Sequence, residues 1–347
     1  MMTDAWAPQL ARLEPGRIAP ALVAALRGGA VVARADTAVV ALTGPGAVTC
    51  FQGLLTNDLE QPGDGAFLYG ALLTPKGMIV VDGWAARLGT TVSFTVPAEG
   101  RERAVDVFTR AVPPRLARLS DHTAAVAVYR VAGPRAVSVA ERAGLTLPPT
   151  PGRALLTPGG AEIARAPEGA PFVVQVTAPD ADARALATRL VAAGADEADA
   201  AALELARILA GWPRLGAEVD DKTIPQEVRY DAIGGVSYTK GCYTGQETVA
   251  RLHFRGHTNR ELRGVVFDAA PPPPPVEGWY TVTHLDREVG RVTSVAWVPE
   301  PGARGTGRWV GLAVLRATVT PGVMVQAAGR DARVVELPFV LPAVGPA

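Results

Sequence analysis

The stretch Lys240-Gly241-Cys242-Tyr243-Thr244-Gly245-Gln246-Glu247 decides how the chain is read. Thr244 followed three residues later by Glu247 has the form of a capping box. In that motif the Thr side chain takes an N–H of the first turn and the Glu reaches back to the cap. The spacing predicts a short helix from Gly245 to Leu252, with Gly256 as its stop. Val236-Ser237-Tyr238-Thr239 alternates just before it and predicts a strand. Cys242 then falls in the turn between strand and helix start, where the helix dipole and Lys240 favour thiolate over thiol. A lone cysteine is most often a small buried hydrophobe. Here two glycines, a lysine and a cap crowd together with no apolar period, which points to a functional loop.

At 347 residues the chain exceeds one typical core, so two or three domains are expected. Lys+Arg 34 balance Asp+Glu 34, which leaves no global positive field to hold nucleic acid; none is expected as a direct partner. Cys50 and Cys242 are the only cysteines, too few for a disulfide scaffold or for the four thiolates of a usual iron–sulfur site. Four His without any Cys-x-x-Cys pair predict no structural metal site. The first residues form no signal peptide, and no apolar run is long enough to span a bilayer. The expected compartment is the cytoplasm, and a monomer is expected.

Outward from the motif, the pattern mixes short strands and helices. Residues 17–27 read as an amphipathic helix, 31–34 and 38–42 as strands, and a short helix leads through Phe51 to Thr56-Asn57-Asp58. Phe67 to Leu73 and Met78 to Trp84 form a hairpin around Thr74-Pro75-Lys76-Gly77. A strand over 91–96 and a helix over 99–111 follow. The middle repeats the theme: strands at 124–129, 161–165 and 172–177, and helices at 134–142, 180–193 and 197–209. Hairpins outnumber strict βαβ units, so the class is α+β. Past the stiff Pro271–Pro275 loop, six short strands between Glu261 and Val335 predict a small antiparallel barrel.

Three segments together resemble the YgfZ family of folate-binding proteins, relatives of the glycine-cleavage T-protein, an aminomethyltransferase. The family's K-G-C-[FY]-x-G-Q-E is matched at every position by Lys240 to Glu247. Phe51 to Asp58 looks like its helix and T-N-D loop, and Leu72 to Ile79 like its L-x-T-P-[KQ]-G hairpin. The resemblance implies a three-domain cloverleaf: two interleaved, ferredoxin-like α+β lobes and a C-terminal antiparallel β-barrel around a central folate-type hole. The bounds expected are 1–115, 116–258 (carrying the Cys motif) and 259–347. It implies tetrahydrofolate or a derivative as cofactor, and a role in synthesis or repair of iron–sulfur proteins, including radical enzymes that modify tRNA. Iron–sulfur clients and a transient cluster come with that role.

The residues expected to act follow from the same comparison. Cys242 is the candidate reactive thiolate at the central cavity, and Lys240 tunes its charge or holds an anionic tail. Gly241, Tyr243, Gly245, Gln246 and Glu247 complete the motif; the last two shape the helix start. Asn57, Asp58, Tyr69, Arg207, Glu227, Tyr230 and Arg251 are candidate folate contacts, with Tyr69 stacking on the ring. Two positions depart from the T-protein. Its catalytic acid is sought after Val96, where Pro97 replaces Asn and no Asp occurs before Asp106. Its pterin-pairing Glu falls on Leu209 of Ala206-Arg207-Ile208-Leu209-Ala210-Gly211. Turnover of the T-protein kind is therefore not expected. The alternative carried forward is a tetrahydrofolate-dependent aminomethyl or one-carbon transferase or demethylase. A thiol enzyme with His253 or His257 as base is a further reading, with nothing to bring either within reach of Cys242.

Overall fold

The structure is a computed structural model that describes residues 10–275, 278–300 and 306–340. Three sheets organise the chain. The first has five antiparallel strands in the order Phe67–Leu73, Ile79–Leu88, Thr91–Pro97, Thr37–Thr43, Arg118–Asp121. The hairpin forms where the Pro75-Lys76-Gly77 turn predicts it. Phe67–Leu73 is buried on both faces, which is why it reads as a continuous apolar run rather than an alternation.

The second sheet has six strands, Asp196–Ala198, Val31–Arg34, Val126–Ala132, Val174–Pro179, Glu162–Arg165 and Arg153–Leu156. Val31–Arg34 precedes the first sheet in sequence yet pairs with Val126–Ala132, so the chain interleaves the two lobes. Helices Ala136–Arg142 and Asp180–Ala192 cover this sheet, their Val139, Ala140, Ala183 and Leu190 packing with Val131, Ile163 and Val176.

The third sheet closes on itself. Strands Arg260–Phe267, Tyr280–His284, Arg287–Pro299, Gly307–Arg316, Met324–Ala327 and Arg330–Val335 form a six-stranded antiparallel barrel, sealed by pairing of Arg287–Pro299 with Gly307–Arg316. The α+β class and the C-terminal barrel expected from the sequence are both present. Ala11–Leu13 adds to the barrel in parallel with Arg287–Pro299, far from the first lobe to which its sequence position assigns it. Helix Ala200–Ala210 turns Leu205 and Ile208 onto the barrel's Leu262, Val310 and Leu312.

The Cys motif departs from its expected local form. Val236 to Thr239 makes no strand; the segment is irregular, and the N–H of Ser237 donates to the Thr56 carbonyl. The helix runs Gln246–Arg255 with Gly245 as its cap, and neither Thr244 nor Glu247 makes a capping-box bond. Gly245 sits at φ 82°, a left-handed turn that leaves no room for the extended Thr cap. A Cβ there would lie 2.5 Å from the Thr74 carbonyl oxygen, because the hairpin turn presses against the helix start. Tyr243 and Val249 join the same core as the five-stranded sheet.

Candidate functional site

A cavity of about 340 Å³ opens between the first two sheets, helix Ala200–Ala210 and the segment Trp212-Pro213-Arg214. That size suits a small ligand. Its walls are aromatic: the Trp84 and Trp212 rings stack at 5.6 Å, Tyr69 meets Trp212 edge-on at 5.0 Å, and Phe172 meets Trp84 at 4.8 Å.

One carboxyl group sits within this aromatic wall. Asp82, on the central hairpin strand, is 2% exposed and lines the cavity. The Tyr69 hydroxyl donates to its Oδ2 at 2.5 Å and the Tyr230 hydroxyl to the same oxygen at 3.1 Å. Burial pushes the Asp82 carboxyl up to about 6, against the pull of the two hydroxyls. Burial and the nearby carboxylate push both tyrosines well above their ordinary values, so they remain donors. A carboxyl that exchanges its proton near neutrality, in a water-poor aromatic pocket, can act as an acid or a base.

Of the residues singled out from sequence, the cavity wall takes Tyr69 and Arg207, and Tyr230 stands behind Asp82. Tyr69 therefore serves as a donor to the acid as well as a wall. The Arg207 guanidinium is consumed by protein: it donates to Glu204, Glu218, the Trp212 carbonyl and Ser294. It braces the wall instead of reaching for a ligand's tail. Leu209 packs toward the barrel with Phe339 and is absent from the wall, while Glu204, earlier on the same helix, lines it.

The remaining expected contacts lie elsewhere. Lys240 is buried, and its ammonium donates to the carbonyls of Gln52, Leu55 and Asn57 at 2.6, 2.6 and 2.9 Å. Burial draws its pKa down to about 8. It closes the end of helix Ala47–Gln52, and has no donor to spare for a thiolate or a ligand. Asn57 bonds the carbonyls of Tyr69 and Gly234, and Asp58 accepts from Gln52 and from the N–H groups of Glu60 and Gln61; both shape the loop. Glu227 is held in the turn Pro225–Val228, and Arg251 is exposed on helix Gln246–Arg255. Gly241 and Cys242 are exposed, Glu247 likewise; the Gln246 side chain accepts from the Tyr243 N–H. Cys242 is not part of the cavity wall, which corrects the expectation that its sulfur faces that space. Cys50 is half-buried against the first core.

Sequence reasoning passed over Asp82, Trp84, Arg130, Phe172, Glu204 and Trp212. A signal for Asp82 was present: an acid in the apolar run Ile79-Val80-Val81-Asp82-Gly83-Trp84, on a strand flanked by neighbours, must be buried and must be partnered.

Comparison with known proteins bears on the fold that frames this cavity. Residues 25–146 match the GCVT N-terminal domain family. The crystal structure of glycine cleavage system aminomethyltransferase T from Bartonella henselae superposes with a TM-score of 0.74 over 92% of this chain and 89% of that one, at 19% identity. A tRNA-modifying protein YgfZ from Vibrio vulnificus is 38% identical over 136 residues, covering 38% of this chain and 40% of the relative. The Vibrio atlanticus protein of the same name is 52% identical over 56 residues, 16% of this chain and 17% of that one. This chain resembles the YgfZ proteins in sequence and the T-protein in fold. The match spans two fifths or less of these YgfZ relatives' own length. With a T-protein-like fold, the interleaved sheets and the barrel of this YgfZ-like chain are the expected frame, and the cavity lies where both lobes and helix Ala200–Ala210 meet. Among the described residues no helix is long and apolar enough to cross a membrane.

Proposed function

We propose that the cavity binds a tetrahydrofolate-type cofactor and that the protein serves tRNA modification, acting in the cytoplasm. The observation that carries this is Asp82, a buried carboxyl of near-neutral pKa held by two tyrosines among stacked indoles. A flat heteroaromatic ring with N–H donors suits such walls: the aromatics take its faces, and the Asp82 carboxyl takes its donors. When bound, a folate of this kind supplies carriage of a one-carbon unit. The protein's part is to shield the ring from water and to hold or release a proton at Asp82 Oδ1 or Oδ2. The T-protein-like fold and the tRNA-modifying name of the Vibrio relatives support the reading.

The experiment is calorimetric titration of tetrahydrofolate into wild type and Asp82→Asn. Wild type is expected to bind in the micromolar range or tighter, about 8 kcal/mol of affinity, and the variant to bind more weakly. Absence of heat with wild type at millimolar ligand sinks the folate reading. One-carbon transfer is the second reading, and Asp82 favours it, since it brings a buried acid to the cavity from a strand other than the one that ends after Val96. Formation of methylene-tetrahydrofolate from candidate amines, lost in Asp82→Asn, would establish it.

Service to iron–sulfur clients is the finer part of the proposal, and it rests on the exposed thiol of Cys242. Among the described residues no group of three or more His, Cys, Asp or Glu is arranged to hold a metal. A resident cluster does not fit this chain, and no step is routed through one. Cys242 offers a single exposed thiol, and its alkylation rate against Cys50 is the test.

A further inference from the structure

Three arginines reach the cavity wall: Arg130, Arg207 and Arg214. Arg207 is paired with Glu204 at 2.7 Å and Glu218 at 2.9 Å, and Arg214 lies 3.8 Å from Glu204. Arg130 has no carboxylate within ion-pair distance among the described residues. It projects from strand Val126–Ala132, with its Nε donating to Gln175 Oε1 at 3.0 Å and its guanidinium lying 4.3 Å over the Phe172 ring. The amide and the ring fix the plane of the fork. Its two terminal nitrogens have no hydrogen-bond partner among the described residues. The side chain is partly exposed, and it lines the cavity.

Arginine cannot shed its charge in a protein. A guanidinium drawn partly out of water without an acid is costly, and burial draws even this group's pKa down to about 10. Of the acids lining the cavity, Asp82 is held by two hydroxyls and Glu204 by Arg207, and Asp36 and Glu99 make no ion pair with Arg130. Two parallel donors held in one plane match a carboxylate, or the polarised oxo oxygen of a ring, better than any apolar group.

We infer that Arg130 anchors an anion subsite of the cavity, taking an oxyanion or oxo oxygen of the ligand on its two terminal nitrogens. For a folate, that oxygen comes from the pyrimidinone ring or from the glutamate carboxylates. The inference rests on the folate reading for its ligand, but not for its charge argument.

The test uses Arg130→Gln, which removes the charge and keeps an amide N–H for the buried Gln175 oxygen. Thermal melting is measured without ligand, and affinity is measured with tetrahydrofolate and with tetrahydropteroate, which lacks the glutamate. The ligand-free variant is expected to melt about 2 °C or more above wild type, because an uncompensated charge is gone from the cavity wall. Its affinity for tetrahydrofolate is expected to fall about tenfold or more. A penalty that persists with tetrahydropteroate assigns the oxygen to the ring; a penalty confined to tetrahydrofolate assigns it to the carboxylate. A lower melting temperature makes Arg130 a structural brace and overturns the inference, as does unchanged affinity for both ligands when wild type binds them. If wild type binds neither, the folate reading fails alone, and the direction of the melting shift decides whether Arg130 awaits another anion.

Discussion

Asp82 couples the cavity's chemistry to the stability of the fold, and the sign of that coupling can be worked out. Its folded pKa, about 6, lies above the ordinary carboxyl value of 3.8. Between those values the unfolded chain has released the proton while the folded one keeps it, so folded stability falls as pH rises through 6. The gap between the two values corresponds to roughly 3 kcal/mol in all, of which about 1–1.5 kcal/mol is lost between about pH 5 and pH 8. Asp82→Asn keeps an acceptor for the Tyr69 and Tyr230 hydroxyls and cannot ionise. Its stability relative to wild type is expected to improve by that margin from the lower pH to the higher, as read by urea unfolding at both. Parallel curves for the two proteins would mean that Asp82 does not titrate in this range. A carboxyl retained at a cost to folding is what a functional acid looks like.

At the scale of elements, the Cys242 segment shows where local sequence stops deciding. Gly245 and Gly77 both take positive φ, and the hairpin turn lies against the start of helix Gln246–Arg255 through them. That contact is non-local, so the Thr244–Glu247 pattern alone could not reveal that its capping box gives way. Lys240, close to Cys242 in sequence, spends its charge on three carbonyls of the loop after helix Ala47–Gln52. What remains to Cys242 is the exposure of its sulfur, a few residues before helix Gln246–Arg255. It is therefore expected to react with iodoacetamide several-fold faster than half-buried Cys50, as read by mass spectrometry after partial labelling. Equal rates would leave Cys242 an ordinary surface thiol. The strands of the barrel and the hairpin were legible because alternation and Gly/Pro turns are local signals. Ala11–Leu13 and Arg153–Leu156 were not, being short edge strands whose pairing comes from distant partners. Asp82 was missed for the same reason: Tyr230, which helps define its environment, is 148 residues away in sequence.

Across the whole molecule, one buried carboxylate ties the cavity wall to the barrel. Glu218 is fully buried and accepts from Arg207 at 2.9 Å, from the Arg214 N–H at 3.0 Å, and from Thr293 and Ser294 of the barrel at 2.8 and 2.5 Å. Arg207 itself spans the junction, bonding Glu204 on the cavity side and Ser294 on the barrel side. The apolar contacts of Leu205 and Ile208 with Leu312 hold the same interface, but they are indifferent to the rotation of the barrel against helix Ala200–Ala210. The directional bonds of Glu218 fix that rotation, and with it the position of Arg207 and Trp212 in the wall. Glu218→Ala leaves two barrel hydroxyls and half of a buried guanidinium without their acceptor, a loss of about 3–5 kcal/mol. Glu218→Gln keeps an oxygen for the hydroxyls and is expected to cost less than half of that. Urea unfolding of the two variants measures both. A loss below about 1 kcal/mol for Glu218→Ala would show that the apolar interface alone sets the barrel, because breaking a truly desolvated pair cannot be so cheap.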